Sequence, residues 1–301
     1  VGRDSRQTPN FLPLLIRAGL KSLNFLMATI LDQIIATKRE EIADRKSRRP
    51  IAALQEEITA LGRPRNFFGA VTHRPMGPGS RPVNLIAEIK KASPSAGVIR
   101  TNFDPVAIAR IYADSGANAL SVLTDEQYFQ GRLEFIHAVR DAVKLPVLRK
   151  DFIIDPYQVY ESRAAGADAL LLIAECLEIS QLIDLQILAT ELHMTVLIEV
   201  HDMDNLMRVR DRVIGFPHKS YSLLGINNRD LRTFKTDLGT TLRMAELVED
   251  RSVLVSESGI NSQEDIRKLA AAGVSAVLVG ESLMRSADIK AQVKQLFGEK
   301  N

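Results

Sequence analysis

Gly166-Ala-Asp-Ala-Leu-Leu-Leu-Ile173 sets a glycine, a polar residue and an unbroken apolar run in quick succession. The glycine reads as the left-handed residue that closes a helix, where the lack of a Cβ removes the steric penalty. The run behind it has the length and apolarity of a strand buried on both faces. The same junction recurs as Gly116-Ala-Asn-Ala-Leu120 and Gly273-Val-Ser-Ala-Val277. Three copies of one helix-to-strand turn imply a single supersecondary unit repeated along the chain.

Working outward from these junctions, β-branched and apolar runs predict strands at 84-89, 119-123, 147-150, 169-173, 195-199, 222-226, 252-256 and 276-279, with amphipathic helical patterns between and after them. Eight strands that alternate strictly with helices predict an α/β protein built as a (β/α)8 barrel. An open doubly wound sheet would use the same helix-to-strand turns, and the count of eight is what favours closure.

Ahead of the barrel, Ile30, Leu31, Ile34, Ile35 and Ile42 form one helical stripe, and Ile51, Leu54, Ile58 and Leu61 form a second. Two apolar faces with no partner of their own predict an N-terminal helical extension, residues 27-83, packed on a barrel of residues 84-301. The Pro/Gly-rich stretch 75-82 reads as a flexible connection to the first strand. Residues 1-26 carry no stripe that matches the barrel and contain Pro9 and Pro13, so they are expected to be a poorly ordered extension.

With 39 Lys plus Arg against 37 Asp plus Glu, the formal charge of +2 leaves no polyanion footprint, and no nucleic-acid or membrane-surface partner is expected. No apolar run reaches the roughly 18 residues of a membrane span. The expected partner is a small molecule. The single cysteine, Cys176, has no companion for a disulfide or a metal site and suits a reducing, cytoplasmic setting. Its apolar neighbours mark it as a structural thiol, and neither a metal nor a cofactor is expected.

Four strands end in a charged or amide side chain: Glu88 and Lys90 after the first, Lys150 after the third, Glu199 after the fifth and Asn227 after the sixth. A parallel barrel delivers such residues to one carboxyl-terminal rim, where they converge on one substrate. A lysine there is a Schiff-base nucleophile, a proton donor or a fixed cation for an anion. Glu88 and Glu199 are acids or bases, or hold a lysine oriented. Ser256-Glu-Ser-Gly-Ile260 and Val279-Gly-Glu-Ser-Leu-Met-Arg285 follow the last two strands, where barrels commonly bind phosphate through backbone N–H groups and a short helix. Asn118 and Asn228 read as turn residues, and His201 as a residue that opens a helix.

Ile86-Ala-Glu-Ile-Lys-Lys-Ala-Ser-Pro-Ser95, Leu123-Thr-Asp-Glu-Gln-Tyr-Phe-Gln-Gly131, Leu148-Arg-Lys-Asp-Phe-Ile153, Ile226-Asn-Asn-Arg-Asp-Leu231 and Ser256-Glu-Ser-Gly-Ile260, taken in order, resemble the indole-3-glycerol-phosphate synthase family of tryptophan biosynthesis. The resemblance runs from about Met27 to the C-terminus. It implies ring closure, decarboxylation and dehydration of 1-(2-carboxyphenylamino)-1-deoxyribulose 5-phosphate, with other tryptophan-pathway enzymes as candidate protein partners. It further implies Lys150 as general acid, Lys90 at the substrate carboxylate with a share in the acid role, Glu199 as second acid/base, and Glu88 and Asn227 as polar orienters. Ser93 and Arg229 resemble positions near the carboxylate and anthranilate end, Phe129 a wall of the ring pocket, and Ser258, Gly259, Gly280 and Glu281 the phosphate contacts. Glu281 departs from relatives with serine there, and its carboxylate must turn away from a phosphate.

Three rival activities fit the rim less well. A phosphoribosylanthranilate-isomerase chemistry would want a cysteine and an aspartate at strand ends, and Cys176 lies past the fourth strand. A Schiff-base aldolase on Lys150 would be trapped by borohydride. A non-catalytic phosphate-binding subunit leaves Lys90, Lys150 and Glu199 converging without purpose.

Overall fold

The computed structural model describes residues 29–73, 81–213, 215–230 and 233–298. The expected extension 1-26 lies outside the described residues, and so does most of the connection 75-82.

Helix α1 (Ile30–Arg48) starts at Thr29, whose hydroxyl accepts the Asp32 N–H while the Asp32 carboxylate accepts the Thr29 N–H, a reciprocal cap. Helix α2 (Ile51–Ala60) buries Leu54 completely, and α3 (Phe67–Thr72) is capped by the Asn66 side chain. Strands β1 (Asn84–Ile89), β2 (Ala119–Leu123), β3 (Val147–Lys150), β4 (Ala169–Ile173), β5 (Thr195–Val200), β6 (Ser222–Asn227), β7 (Leu254–Glu257) and β8 (Ala276–Val279) form one closed barrel, each parallel to its neighbours, with β1 bonded to both β2 and β8. Helices α4 (Pro105–Asp114), α5 (Glu134–Ala142), α6 (Pro156–Ala164), α7 (Ile179–Glu191), α8 (Met203–Val213), α9 (Gly239–Ala245) and α10 (Gln263–Ala271) follow β1 to β7 in turn. After β8 come α11 (Glu281–Arg285) and α12 (Ile289–Phe297). The chain is therefore a (β/α)8 barrel with helices ahead of it.

The seventh strand is displaced from its expected position, 252-256, to Leu254–Glu257. The Asp250 carboxylate accepts both the N–H and the hydroxyl of Ser252, which draws Arg251–Val253 into a 3-10 turn and delays the strand. That delay carries Glu257 into the last strand position. The repeated glycines Gly116, Gly166 and Gly273 take φ of +77°, +89° and +88°, and in each copy the next N–H reaches back to a carbonyl five residues earlier, on Tyr112, Ser162 and Leu269. The polar residue of the repeat pins the neighbouring strand: Asn118 Oδ1 accepts the Leu85 N–H and Asp168 Oδ2 the Val147 N–H.

Two apolar layers result. An outer one lies between strands and helices, and an inner one fills the barrel with Ile86, Leu148, Leu171, Leu197, Leu223, Val255 and Leu278. Phe67 and Val71 of α3 join the inner layer, each fully buried and worth about 1.5–3 kcal/mol. They plug the amino-terminal end, where Asn84 Nδ2 and Ser275 Oγ donate to the Val71 carbonyl. The floor is thereby closed, and the opening is left at the carboxyl-terminal rim. Among the described residues no helix is long and apolar enough to cross a membrane.

Candidate active site

At that rim a cavity of about 330 Å³ is lined by Glu88, Lys90, Ser93, Phe129, Lys150, Glu199, Asn227, Arg229, Ser258, Gly259, Gly280 and Glu281, every site residue expected from the sequence. Strands deliver the chemistry and loops the walls. Lys150 is the last residue of β3, and its Nζ lies 2.6 Å from Glu199 Oε2 and 3.4 Å from Glu257 Oε2. Lys90, one residue past β1, pairs with Glu88 Oε2 at 2.5 Å. The two ammonium groups therefore face three carboxylates in one cavity.

Glu257 was legible in the sequence only as part of a phosphate loop. Its fully buried side chain enters the barrel where β6 carries Gly225, and a Cβ at position 225 would collide with Glu257 Oε1 and press on Leu197 Cδ1 at 3.2 Å. A glycine inside an otherwise apolar strand is the signal that a neighbour needs its space. Gly280 tells the same story. Its φ of −125° is ordinary, so the reason for glycine is neither an unusual backbone nor phosphate approach alone, because a Cβ there would strike the Glu88 carboxylate.

The electrostatics follow from this crowding. Burial works to discharge Lys150, but Glu199, Glu257 and Glu88 together outweigh it and hold the ammonium well above its ordinary pKa. Burial likewise opposes ionisation of Glu199, and Lys150 and His201 overcome it, so its pKa falls well below the usual carboxylate range. Glu257 goes the other way: burial first, then the adjacent Glu199 and Glu88 carboxylates, prevail over Lys150 and push it up to about 8. Glu199 and Glu257 therefore share one negative charge at neutral pH.

His201, expected simply to open a helix, sits behind the rim, against Glu199. Its Nε2 is 3.2 Å from Glu199 Oε1 and its Nδ1 3.1 Å from Glu175 Oε2, close ion pairs without the alignment of hydrogen bonds. Burial disfavours its cation, yet the two carboxylates raise its pKa to about 10. Nothing in the sequence links His201 to Glu175, which comes 26 residues earlier.

The walls are unlike at the two ends. On one side Phe129 and Phe152 stand with ring centroids 6.1 Å apart, and Phe152 had not been expected from the sequence. On the other, Ser258 and Gly259 line the cavity with consecutive positive φ of +66° and +72°, a left-handed turn that brings backbone to the cavity wall. Glu281 opens α11, and its carboxylate is taken up by Arg229 at 2.8 Å and Arg285 at 3.0 Å. These two arginines outweigh the opposing effect of burial and keep Glu281 ionised below its ordinary pKa. Asn227 Oδ1 accepts the Arg229 N–H at 3.1 Å, which leaves its amide NH₂ to donate to a bound hydroxyl. Ser93 lies in a short hairpin, Ala92–Ser93 with Gly97–Val98, and Arg229 donates to the neighbouring Ser95 hydroxyl. Cys176 is half-buried, apart from this cavity, and its thiol is pushed up by burial and by the Glu175 and Glu199 carboxylates.

Residues 31–296 match the model of the family described as indole-3-glycerol phosphate synthase. A relative of that name from Acidithiobacillus ferrooxidans is 51% identical over 271 residues, covering 90% of this chain and 99% of its own. One from Polaromonas naphthalenivorans is 48% identical and covers 91% of this chain and 100% of its own. Among solved structures, a 3-hexulose-6-phosphate synthase superposes with a TM-score of 0.56 at 17% identity, over 71% of this chain and 98% of that one. The tryptophan synthase α-subunit from Pyrococcus furiosus gives 0.51 at 13% identity, over 71% and 97%. At such identities these two speak to the barrel alone.

Proposed function

The chain belongs to the indole-3-glycerol phosphate synthase family, and from that premise we propose how its own residues carry the reaction. As a carboxy-lyase of tryptophan biosynthesis, it turns 1-(2-carboxyphenylamino)-1-deoxyribulose 5-phosphate into indole-3-glycerol phosphate, carbon dioxide and water. The observation that carries the assignment of roles is the Lys150 ammonium, held charged between Glu199 and Glu257 in a cavity with aromatic rings at one end and the left-handed turn of Ser258 and Gly259 at the other.

The phosphate sits on the loops of Ser258, Gly259, Gly280 and Glu281, and the anthranilate ring lies against Phe129 and Phe152. Lys90 faces the carboxylate, with Arg229 and Ser93 beside it. Binding both ends of a flexible substrate brings the ring carbon that bears the carboxylate onto the ribulose carbonyl. As that carbon–carbon bond forms, Lys150 gives its proton to the carbonyl oxygen. A strongly held proton is transferable here because the developing alkoxide is more basic than the amine. The carboxylate then leaves as carbon dioxide, and its bonding pair restores the aromatic ring. Finally the new hydroxyl takes a proton from Lys90 and leaves as water, while Glu199 takes a proton from the adjacent methylene carbon and returns it to Lys150; solvent recharges Lys90 with the one proton that decarboxylation consumes. Glu88 orients Lys90, and Asn227 holds the intermediate's hydroxyl. The cytoplasm, with other tryptophan-pathway enzymes as neighbours, is the setting this reading proposes.

Incubation of the protein with the carboxyphenylamino substrate should yield the absorbance and fluorescence of an indole. Complete silence in both would sink the proposal.

A pH profile probes the carboxylate pair. When Glu257 ionises near pH 8, Lys150 gains a further negative neighbour, binds its proton harder and becomes a poorer acid, so kcat/KM should decline through that pH. Stability has the same sign. The native state keeps a proton that the unfolded chain releases near 4.5, so this contribution is complete below 4.5 and is lost as pH rises through about 8. Glu257→Gln should remove the inflection from both profiles, and an unchanged inflection would assign it to another group.

A further inference from the structure

Lys38 belongs to α1, outside the barrel, yet its side chain is only 1% exposed. It lies four residues from Ile34 and four from Ile42, on the buried stripe of that helix. Its Nζ reaches three carboxylates: Glu41 at 2.8 Å, Asp125 at 3.0 Å and Asp151 at 3.0 Å. The reaction as described above makes no use of it.

What those carboxylates do next is the informative part. Asp125, two residues past β2, turns its other oxygen to the backbone N–H groups of Tyr128 and Phe129, at 2.8 and 3.2 Å. Asp151, directly after Lys150, accepts the N–H of Phe152 at 2.8 Å and the Thr124 hydroxyl at 2.5 Å. Each carboxylate thus organises the turn that carries one of the two facing rings. A second tie from the same helix, Thr37 Oγ1 to Tyr128 Oη at 2.9 Å, holds the first of these turns. Burial opposes the Lys38 charge, and its carboxylate partners more than restore it.

We propose that Lys38 is a positioning residue for the aromatic end of the cavity. One ammonium shared by Asp125 and Asp151 sets the spacing of Phe129 and Phe152, and so tunes how tightly the aromatic part of the substrate is held. The inference rests on the reading of this cavity as the site of a substrate with an aromatic ring at one end and a sugar phosphate at the other. It concerns a residue that touches neither substrate nor reacting atoms, and it makes the leading helix part of ring recognition.

Two probes separate this role from simple stapling of α1. Indole-3-glycerol phosphate carries a ring and a phosphate, whereas glycerol 3-phosphate carries the phosphate alone. Lys38→Met keeps the aliphatic stem and removes the charge, so the buried Asp125 carboxylate loses this cation and Asp151 keeps only Arg149. At a temperature where the variant is folded, calorimetry should show the ring-bearing ligand weakened about tenfold, with the phosphate-only ligand within about twofold. In turnover the loss should fall mainly on KM, and Lys38→Arg should recover part of it. The effect on the ring-bearing ligand should shrink in a Phe129→Leu background, since a spacing that no longer matters cannot be spoiled. Should Lys38→Met fail to fold, Asp125→Asn keeps an acceptor for Tyr128 and Phe129 while breaking the ion pair, and the same selective loss is expected. Equal weakening of both ligands, or of neither, would overturn the proposal. If the unaltered protein fails to bind indole-3-glycerol phosphate at all, the reading of the cavity falls first.

Discussion

Lys150→Met is expected to lower kcat by about 10²- to 10⁴-fold while substrate affinity stays within roughly tenfold, because general acid catalysis contributes on that order and the methionine retains the aliphatic bulk. The structure argues for the upper part of that range. Without the ammonium, Glu199 and Glu257 face each other with no cation between them, and the carboxyl that must later accept a proton is pushed to hold one instead. One substitution therefore removes the acid and impairs the base. Pre-steady-state measurement of indole formation in a single turnover checks the chemical step directly. Borohydride added with substrate should trap no adduct, since a proton donor forms no imine. A variant with near-normal kcat would move the acid elsewhere, and Lys90, paired with Glu88, is the first place to look.

Arg149→Met is expected to be the most damaging change to stability, at about 3–5 kcal/mol, the usual cost of breaking a buried ion pair by removing one side. Arg149 is fully buried beside Lys150 in sequence, 3.1 Å from Asp151 and 2.8 Å from Glu161, with further bonds to Thr124, Ser162 and the Gln158 carbonyl. Truncation removes the buried cation that Asp151 and Glu161 share, and leaves Asp151 to Lys38 and Glu161 to Arg45. Asp151 shows the sign of the effect. Burial opposes its charge, but Lys38 and Arg149 prevail and depress its pKa far below the usual 3.8, so the stabilisation is present above that value and is lost only in strong acid. Urea unfolding at neutral pH checks the magnitude. Arg149→Lys should fall between the two, because it keeps the charge and loses the planar fork. A loss below about 1 kcal/mol for Arg149→Met would mean that water or relaxation replaces the pairing.

The two results should be separable. Lys150→Met acts at the chemical step, whereas Arg149→Met acts on the population of folded enzyme, so at a temperature where both are folded only the first should show the large fall in kcat.

Much of this molecule is written in local pattern. The strand runs, the helix-ending glycines Gly116, Gly166 and Gly273, and the polar residues at strand ends each depend on neighbours within a few positions, through backbone sterics and the period of burial. For that reason the eight strands and the strand-end residues Glu88, Lys90, Lys150, Glu199 and Asn227 could be named from pattern, whereas Ser93, Phe129 and Arg229 came from the family resemblance; all of these side chains line the cavity. Proximity across the barrel is a different matter. Lys150 meets Glu199 across 49 positions, and Arg45 of α1 meets Glu161 across 116. An ion pair of this kind has no period and leaves no trace in either segment alone. Glu257 looked like part of an anion loop until closure set it 3.4 Å from Lys150, and His201 looked like a helix opener until it came to lie between two carboxylates. The faintest traces were side chains at odds with their surroundings: Lys38 on an apolar stripe, Gly225 inside a buried strand. Sequence alone placed Glu88, Lys90, Lys150, Glu199 and Asn227 at the rim. Only the tertiary structure decided their charges, because a pKa depends on burial and on the distances to all neighbouring charges, and those distances exist once the barrel has closed.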